Sequence, residues 1–249
     1  MASSNSPASR IRGRSLGYVL AFLVVVFVFL LGFGLPGSPD GDLHTALEIL
    51  SAIFAVLIGT LALIRFYVRR RSLYAWIGAG FLLTAFLDAY HGVAAGDLLN
   101  VSFLQSSPDF PSWSWFAGRT ALSAFLLIAW LAYWRQTHKH PHFPVWAIYT
   151  IAVAAAFFAM IAQAVMPPPV EYSISGALAQ PFELIPGFLF LVALIGFLTA
   201  GEWRTRTFDH ALIIALVLSV GTQTLLMPFS QEANDPLFHI AHIAKIASY

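Results

Sequence analysis

The sequence predicts an all-α fold, a polytopic transmembrane helical bundle of seven complete spans plus the start of an eighth, and three observations predict it. First, 59% of the 249 residues are hydrophobic and only 10% charged, with a mean hydropathy of +0.76, whereas a soluble domain carries about 25% charged residues. Second, apolar runs of roughly 20 residues, the length that crosses a hydrocarbon core, follow one another with short polar, Pro or Gly breaks. Third, Lys and Arg gather at every second break. Cysteine is absent, which excludes disulfides, thiolate metal sites and a thiol nucleophile.

The first run, near 16–36, follows Arg10, Arg12 and Arg14. Its exit, Gly32-Phe33-Gly34-Leu35-Pro36, lacks a small-x-small cleavage pattern, so it reads as a retained anchor helix and not a signal peptide. Residues 1–15 are expected as a cytoplasmic N-terminal tail, its Ser-rich first ten residues unstructured, and 16–249 as the membrane-embedded domain. Further runs lie near 43–68, 73–95, 113–134, 145–166, 181–200 and 209–229. Pro167-Pro168-Pro169 reads as a stiff outer loop, and His138-Lys139-His140-Pro141-His142 as a solvated inner loop despite its metal-like composition. An eighth run starts near 236. Its segment from Leu237 to Tyr249 would descend only about 20 Å at 1.5 Å per residue, short of a core of about 30 Å. This last helix is therefore expected to be truncated and to continue into cytoplasmic sequence.

With the N-terminus in the cytoplasm, 11 of the 13 basic residues fall on the inner side: Arg10, Arg12, Arg14, Arg65, Arg69, Arg70, Arg71, Arg135, Lys139, Arg204 and Arg206. Only Arg119 and Lys245 remain, near outer helix ends. Tyr74, Trp76, Tyr133, Trp134, Trp146 and Trp203 are expected in an inner aromatic belt and Trp113 and Trp115 in an outer one. A multi-pass membrane protein with its N-terminus in the cytoplasm follows from this pattern.

Ionisable groups inside a bilayer are costly, so each is a functional candidate. His44 and Glu48 stand four apart on one face of span two, and Asp88 and His91 three apart at the end of span three. His239, His242 and Lys245 form a stripe in span eight, Glu183 opens span six, and Arg119 lies about one turn into span four. All belong to the outer third of the membrane within the region 44–249. Imidazoles three or four apart on a helix can reach one ion, so His44, His91, His239 and His242 are candidate ligands, with Glu48, Asp88 and Glu183 as further ligands or imidazole-orienting acceptors. Without thiolates the ion would be zinc, copper, iron or nickel. A plain ion-pair reading stays open beside it, with Glu48 on Lys245 or Asp88 on Arg119.

Four segments carry a family resemblance: Leu43-His44-Thr45-Ala46-Leu47-Glu48, Leu87-Asp88-Ala89-Tyr90-His91-Gly92, Ala117-Gly118-Arg119 and His242-Ile243-Ala244-Lys245-Ile246. In order and spacing they resemble the membrane-associated sensor domains of bacterial signalling proteins, in particular the third class of the MASE group, from about Asp42 to the C-terminus. The resemblance implies that His44, Glu48, Asp88, His91, Arg119, His242 and Lys245 are sensing residues. It also implies a non-catalytic input module, usually dimeric, fused to a cytoplasmic histidine kinase, as in two-component systems, or to a diguanylate cyclase. His239 and Glu183 enter on spacing alone.

The function expected is a sensor that binds a metal ion or a metal-linked small ligand near the outer face and signals through the last helix. Two alternatives use the same residues. One is an intramembrane zinc hydrolase of the alkaline ceramidase type, with Ser51 one turn below Glu48. Its last pair would be expected as His-x-x-x-His, whereas His239-x-x-His242 stands here. The other is a bis-histidine b-type haem protein, which the neighbouring carboxylates disfavour.

Overall fold

The structure, a computed structural model, describes residues 7–33, 35, 41–95, 110–138, 144–165, 178–231 and 235–249, and every regular element among them is helical. The helices are α1 (Pro7–Gly32), α2 (Gly41–Arg69), α3 (Ser72–Ala95), α4 (Phe110–Thr137), α5 (Val145–Val165), α6 (Leu184–Ala200), α7 (Thr207–Gly221) and α8 (Pro236–Ser248). A 3-10 turn at Pro181–Glu183 leads into α6. Beyond α7 the chain passes through a π turn at Thr222–Leu226 and a 3-10 turn at Met227–Phe229. Among the described residues, seven segments are long and apolar enough to cross a membrane, α7 counting with its two irregular turns. With α8 as the partial eighth, this is the polytopic bundle that the composition predicts.

The boundaries move in one instructive place. α1 begins at Pro7 and not near 16, so Arg10, Arg12 and Arg14 are helical. Pro is tolerated in a first helical turn and Arg is a good helix former, so nothing local stops the helix from extending outward. Lys139, His140, His142 and the Pro167–Pro169 loop lie outside the described residues.

The chain reverses between α2 and α3 within two residues, and Arg70 makes this possible by taking a left-handed backbone (φ 52°). Gly201, at φ 75°, closes α6 by donating its N–H to the Leu198 carbonyl. Neighbouring helices form a ring in the order α2, α3, α4, α6, α7, α1, with α5 laid outside against α3 and α4. α8 closes the ring on the side where α2 faces α1 and α7.

Lipid tails are as apolar as Leu, so burial alone does not draw these helices together; close backbone approach must. Gly59 and Gly78 are the place where α2 and α3 cross. A Cβ on either would lie about 3 Å from the other's carbonyl oxygen, at 3.1 and 3.0 Å. The aromatic belts are only partly formed. Trp134 and Trp146 are exposed, whereas Tyr74, Trp76 and Trp203 are buried among helices. Trp115, expected at the outer interface, is only 3% exposed and belongs to the site described next.

Candidate metal centre

Three helix ends and a capped partial helix supply the site. On α2, His44 and Glu48 share a face because four residues nearly complete a turn. α3 returns in the opposite direction and brings Asp88 and His91 to the same end of the bundle. α4 enters there with Ser114, Trp115 and Arg119. α8 is started by Asp235, whose carboxylate accepts from the Phe238 N–H at 2.7 Å, the Gln231 N–H at 2.7 Å and the Ser230 hydroxyl at 3.1 Å, with Pro236 at the first helical position. That start aims His242 and Lys245 into the bundle.

His44, Glu48, His91 and His242 converge, each buried, and one ligand atom from each lies within 4.8 Å of the others. The Nε2 atoms of His44 and His91 are 3.3 Å apart, and His242 Nε2 is 3.1 Å from Glu48 Oε1. Zinc bonds to imidazole nitrogen are about 2.0 to 2.1 Å, which sets the edge of a tetrahedral site at about 3.3 Å. Both separations match such an edge. A trans pair of axial imidazoles on a haem iron would need roughly 4 Å at similar bond lengths, with a porphyrin plane between them. His44 and His91 stand closer than that, nitrogen to nitrogen.

Outer partners orient two of the rings. His242 Nδ1 donates to the Phe238 carbonyl at 2.7 Å, which leaves the Nε2 lone pair facing Glu48 Oε1. Nε2 is buried with no hydrogen-bond partner. Two acceptors so close repel unless a cation or a proton lies between them, so the donor set fits a metal. His91 Nδ1 is 2.5 Å from Ser114 Oγ, which points the other nitrogen at His44.

A buried charge network continues beneath the imidazoles. Lys245 Nζ donates to both oxygens of Glu48 at 2.8 Å, lies 3.3 Å from Asp88 Oδ1 and sits 4.5 Å above the Trp115 ring. Glu48 and Lys245 are fully buried. Asp88 Oδ2 accepts from the Ser51 hydroxyl at 2.8 Å and from the Tyr249 hydroxyl at 3.2 Å, and Arg119 Nη1 donates to that Tyr249 oxygen at 3.2 Å. A Cβ at Gly118 would stand 3.3 Å from Asp88 Oδ1, so a glycine before Arg119 lets the carboxylate pack against α4. Farther along, Trp115 Nε1 donates to Glu183 Oε2 at 3.3 Å. With its amide turned to suit its neighbours, Gln223 donates to the same oxygen at 2.5 Å and accepts from Arg119 Nε at 3.1 Å.

Eight of the nine site residues read from the sequence thus join one network, in two ranks. His44, His91, His242 and Glu48 form the metal-like group, and Asp88, Arg119, Glu183 and Lys245 surround it. His239 stands apart. It is half-buried beside the Phe238 ring and outside the group of four. The ion-pair reading is half realised: Glu48 pairs with Lys245, but Arg119 reaches Asp88 only through Tyr249. Ser51 is buried with its hydroxyl on Asp88, not poised toward the imidazoles as a hydrolase would need. Sequence reasoning missed Ser114, Gln223 and Tyr249. Only Gln223 left a signal, as an amide inside an apolar run. It sits in the π turn, where such turns often mark functional sites.

No curated protein and no solved structure matches the chain. A family does, over residues 42–249, a stretch that takes in α2 to α8 and with them the whole network. The chain belongs to the MASE3 family of membrane-associated sensor domains, and is accordingly a sensory, non-catalytic module.

Proposed function

We propose that this domain senses a transition metal ion, zinc best matching the donor set, bound by His44, His91, His242 and Glu48, and reports it through α8 to a cytoplasmic output. One observation carries the reading: three imidazoles and a carboxylate from three separate helices, all buried, converge with one ligand atom of each within 4.8 Å of the others, two of the separations being 3.3 and 3.1 Å. Surface acidic clusters arise by chance. Buried imidazoles whose far nitrogens are tied to Phe238 and Ser114 do not need each other for solubility, and their convergence asks for an ion.

The coupling to α8 lies in Glu48. With the imidazoles neutral, the three buried carboxylates Glu48, Asp88 and Glu183 exceed Arg119 and Lys245 by one negative charge. A bound divalent cation would more than offset that charge. Glu48 would then divide its charge between the ion and Lys245, which weakens the hold of α2 on Lys245 while His242 is drawn toward α2 and α3. α8 carries both residues, so it turns or shifts, and such a movement can bias a two-state output.

The basic residues support an orientation with the N-terminus in the cytoplasm of a bacterial inner membrane. Arg14 reaches the Trp203 carbonyl and Tyr133 donates to Glu202, tying the Arg-bearing ends of α1, α4 and α7 to one end of the bundle. A homodimer fused to a histidine kinase or diguanylate cyclase is the assembly in which such a shift would be read.

Elemental analysis of the purified domain tests the proposal. One transition metal per chain is expected, lost in His91→Ala and in His242→Ala but retained in His239→Ala. Folded protein that binds no metal, or that keeps its metal after both ligand replacements, rejects it.

A further inference from the structure

We propose that the groove between α3 and α5 binds one acyl chain of an anionic phospholipid, whose phosphate is held at the arginine-bearing end of the bundle by Tyr67, Tyr149 and Arg70. The metal group takes no part in it. α5 lies outside the ring and leans on α3 and α4 with an alanine face, Ala152, Ala155, Ala156 and Ala159 being packed against the core. Beside that face it leaves a cavity of about 430 Å³, floored by Leu82, Leu83 and Phe86 of α3 and walled by Ala152, Ala156 and Met160 of α5. Phe86 and Phe157 stand on its rim, 47% and 63% exposed, so the groove opens sideways into the bilayer.

Size decides between occupants. From Tyr149 to Met160 α5 rises about 16 Å, half of a hydrocarbon core of about 30 Å. Spread over that length, the volume corresponds to a slot about 5 Å across. Such a slot admits a single hydrocarbon chain at carbon contacts of about 4 Å and refuses a helix about 10–12 Å wide. Tyr149 carries the only hydroxyl among its lining residues, at the end nearest the arginines, so a tail fits the rest of its length and a polar ligand does not.

The groups at that end suit a phosphate. The hydroxyls of Tyr67 and Tyr149 are 3.1 Å apart and join α2 to α5 there. Only one of them can donate to the other, so the hydrogen of the second is left for an outside acceptor. Arg70, the exposed residue after α2, has its guanidinium carbon 5.8 Å from the centroid of the Tyr67 ring. Among the described residues no carboxylate lies within ion-pair distance of Arg70. A hydroxyl hydrogen and an unpaired guanidinium at the head of an apolar slot match a phosphate diester above its hydrocarbon tail. The guanidinium charge favours a headgroup of net negative charge over a zwitterionic one.

The full chain, reconstituted in phosphatidylcholine bilayers with a minor share of phosphatidylglycerol, tests this by photocapture. A benzophenone is placed on a single cysteine, unique in a chain with none of its own. Phe157→Cys puts it on the rim of the groove, and Phe27→Cys on the exposed face of α1 as the comparison. Mass spectrometry of the adducts reads the ratio of phosphatidylglycerol to phosphatidylcholine, which is expected about fivefold higher at position 157 than at position 27. Arg70→Gln should remove most of that excess. Tyr67→Phe together with Tyr149→Phe should lower it with no change of charge. Val153→Trp, which fills the slot from a position 55% exposed, should bring the ratio at 157 down to that at 27. Equal ratios at the two positions in the otherwise unaltered chain, an excess that survives any of these three changes, or capture of a second copy of the protein through Phe157→Cys overturns the proposal.

Discussion

At Glu48 a metal ligand and an ion-pair partner are the same carboxylate, and the balance between those uses can be read by removing the partner. Breaking a buried ion pair by deleting one side costs about 3–5 kcal/mol, because the other charge is left buried and uncompensated. Lys245→Met should therefore lower the thermal stability of metal-free protein sharply. Added zinc should restore much of the loss, since the ion would neutralise Glu48 in place of the ammonium. Thermal unfolding with and without chelator measures this, and the double variant with Glu48→Gln should be less destabilised than Lys245→Met alone and show no rescue by zinc. A rescue of equal size in both variants would separate Glu48 from the metal. Ser114 presents a subtler case. Its hydroxyl fixes the His91 ring from the side away from the proposed ion, and loss of such an orienting partner weakens metal binding about 10- to 100-fold. Ser114→Ala should show that loss in a competition titration with a chromogenic chelator while leaving the helical signal unchanged.

α8 is the element on which the site and its readout both depend, and it is short: an isolated helix of 13 residues is marginal by itself. The Asp235 carboxylate holds its start through three accepted hydrogen bonds. Asp235→Ala should cost about 1 kcal/mol, within the range of about 0.5–2 for a lost helix cap. It should also weaken metal binding, because fraying at Phe238 removes the carbonyl that orients His242. Asp235→Asn, whose one amide oxygen can still accept from the Phe238 N–H but not also from the Gln231 N–H, should preserve most of both. Unfolding curves and metal titrations on the two variants check the pair of outcomes. The elements also show where sequence reading succeeds and stops. Periodicity and spacing placed His44 with Glu48 and Asp88 with His91 because a helix fixes which residues share a face. They could not separate His239 from His242, since spacing puts both near one face of the helix and only the neighbours decide which member joins the group of four. Nor could they reveal Ser114 or Tyr249, whose importance comes from hydrogen bonds across helices and not from any local pattern. Trp115 looked like a belt residue for the same reason. An aromatic near a helix end is interfacial or internal according to what packs over it.

For the whole molecule, hydropathy carried most of the architecture. Backbone groups in lipid must be satisfied internally, so apolar runs of sufficient length have little choice but helix. The order of helices around the ring and the outlying position of α5 were not legible, because every span is apolar on nearly all faces and association rests on local fits such as Gly59 against Gly78. Orientation across the bilayer rests on the Lys and Arg distribution, and the lack of native cysteine makes it directly measurable. Thr137, at the Arg-bearing end of α4, and Gln231, just before α8 at the opposite end, are both exposed. In otherwise cysteine-free protein, Gln231→Cys should react with a membrane-impermeant maleimide in intact spheroplasts. Thr137→Cys should react only after the membrane is opened. The reverse pattern would put the arginines outside and the imidazoles within reach of the cytoplasm. A metal bound there would report the cell's own pool, whereas the orientation the arginines favour exposes α8 and its ligands to ions arriving from outside.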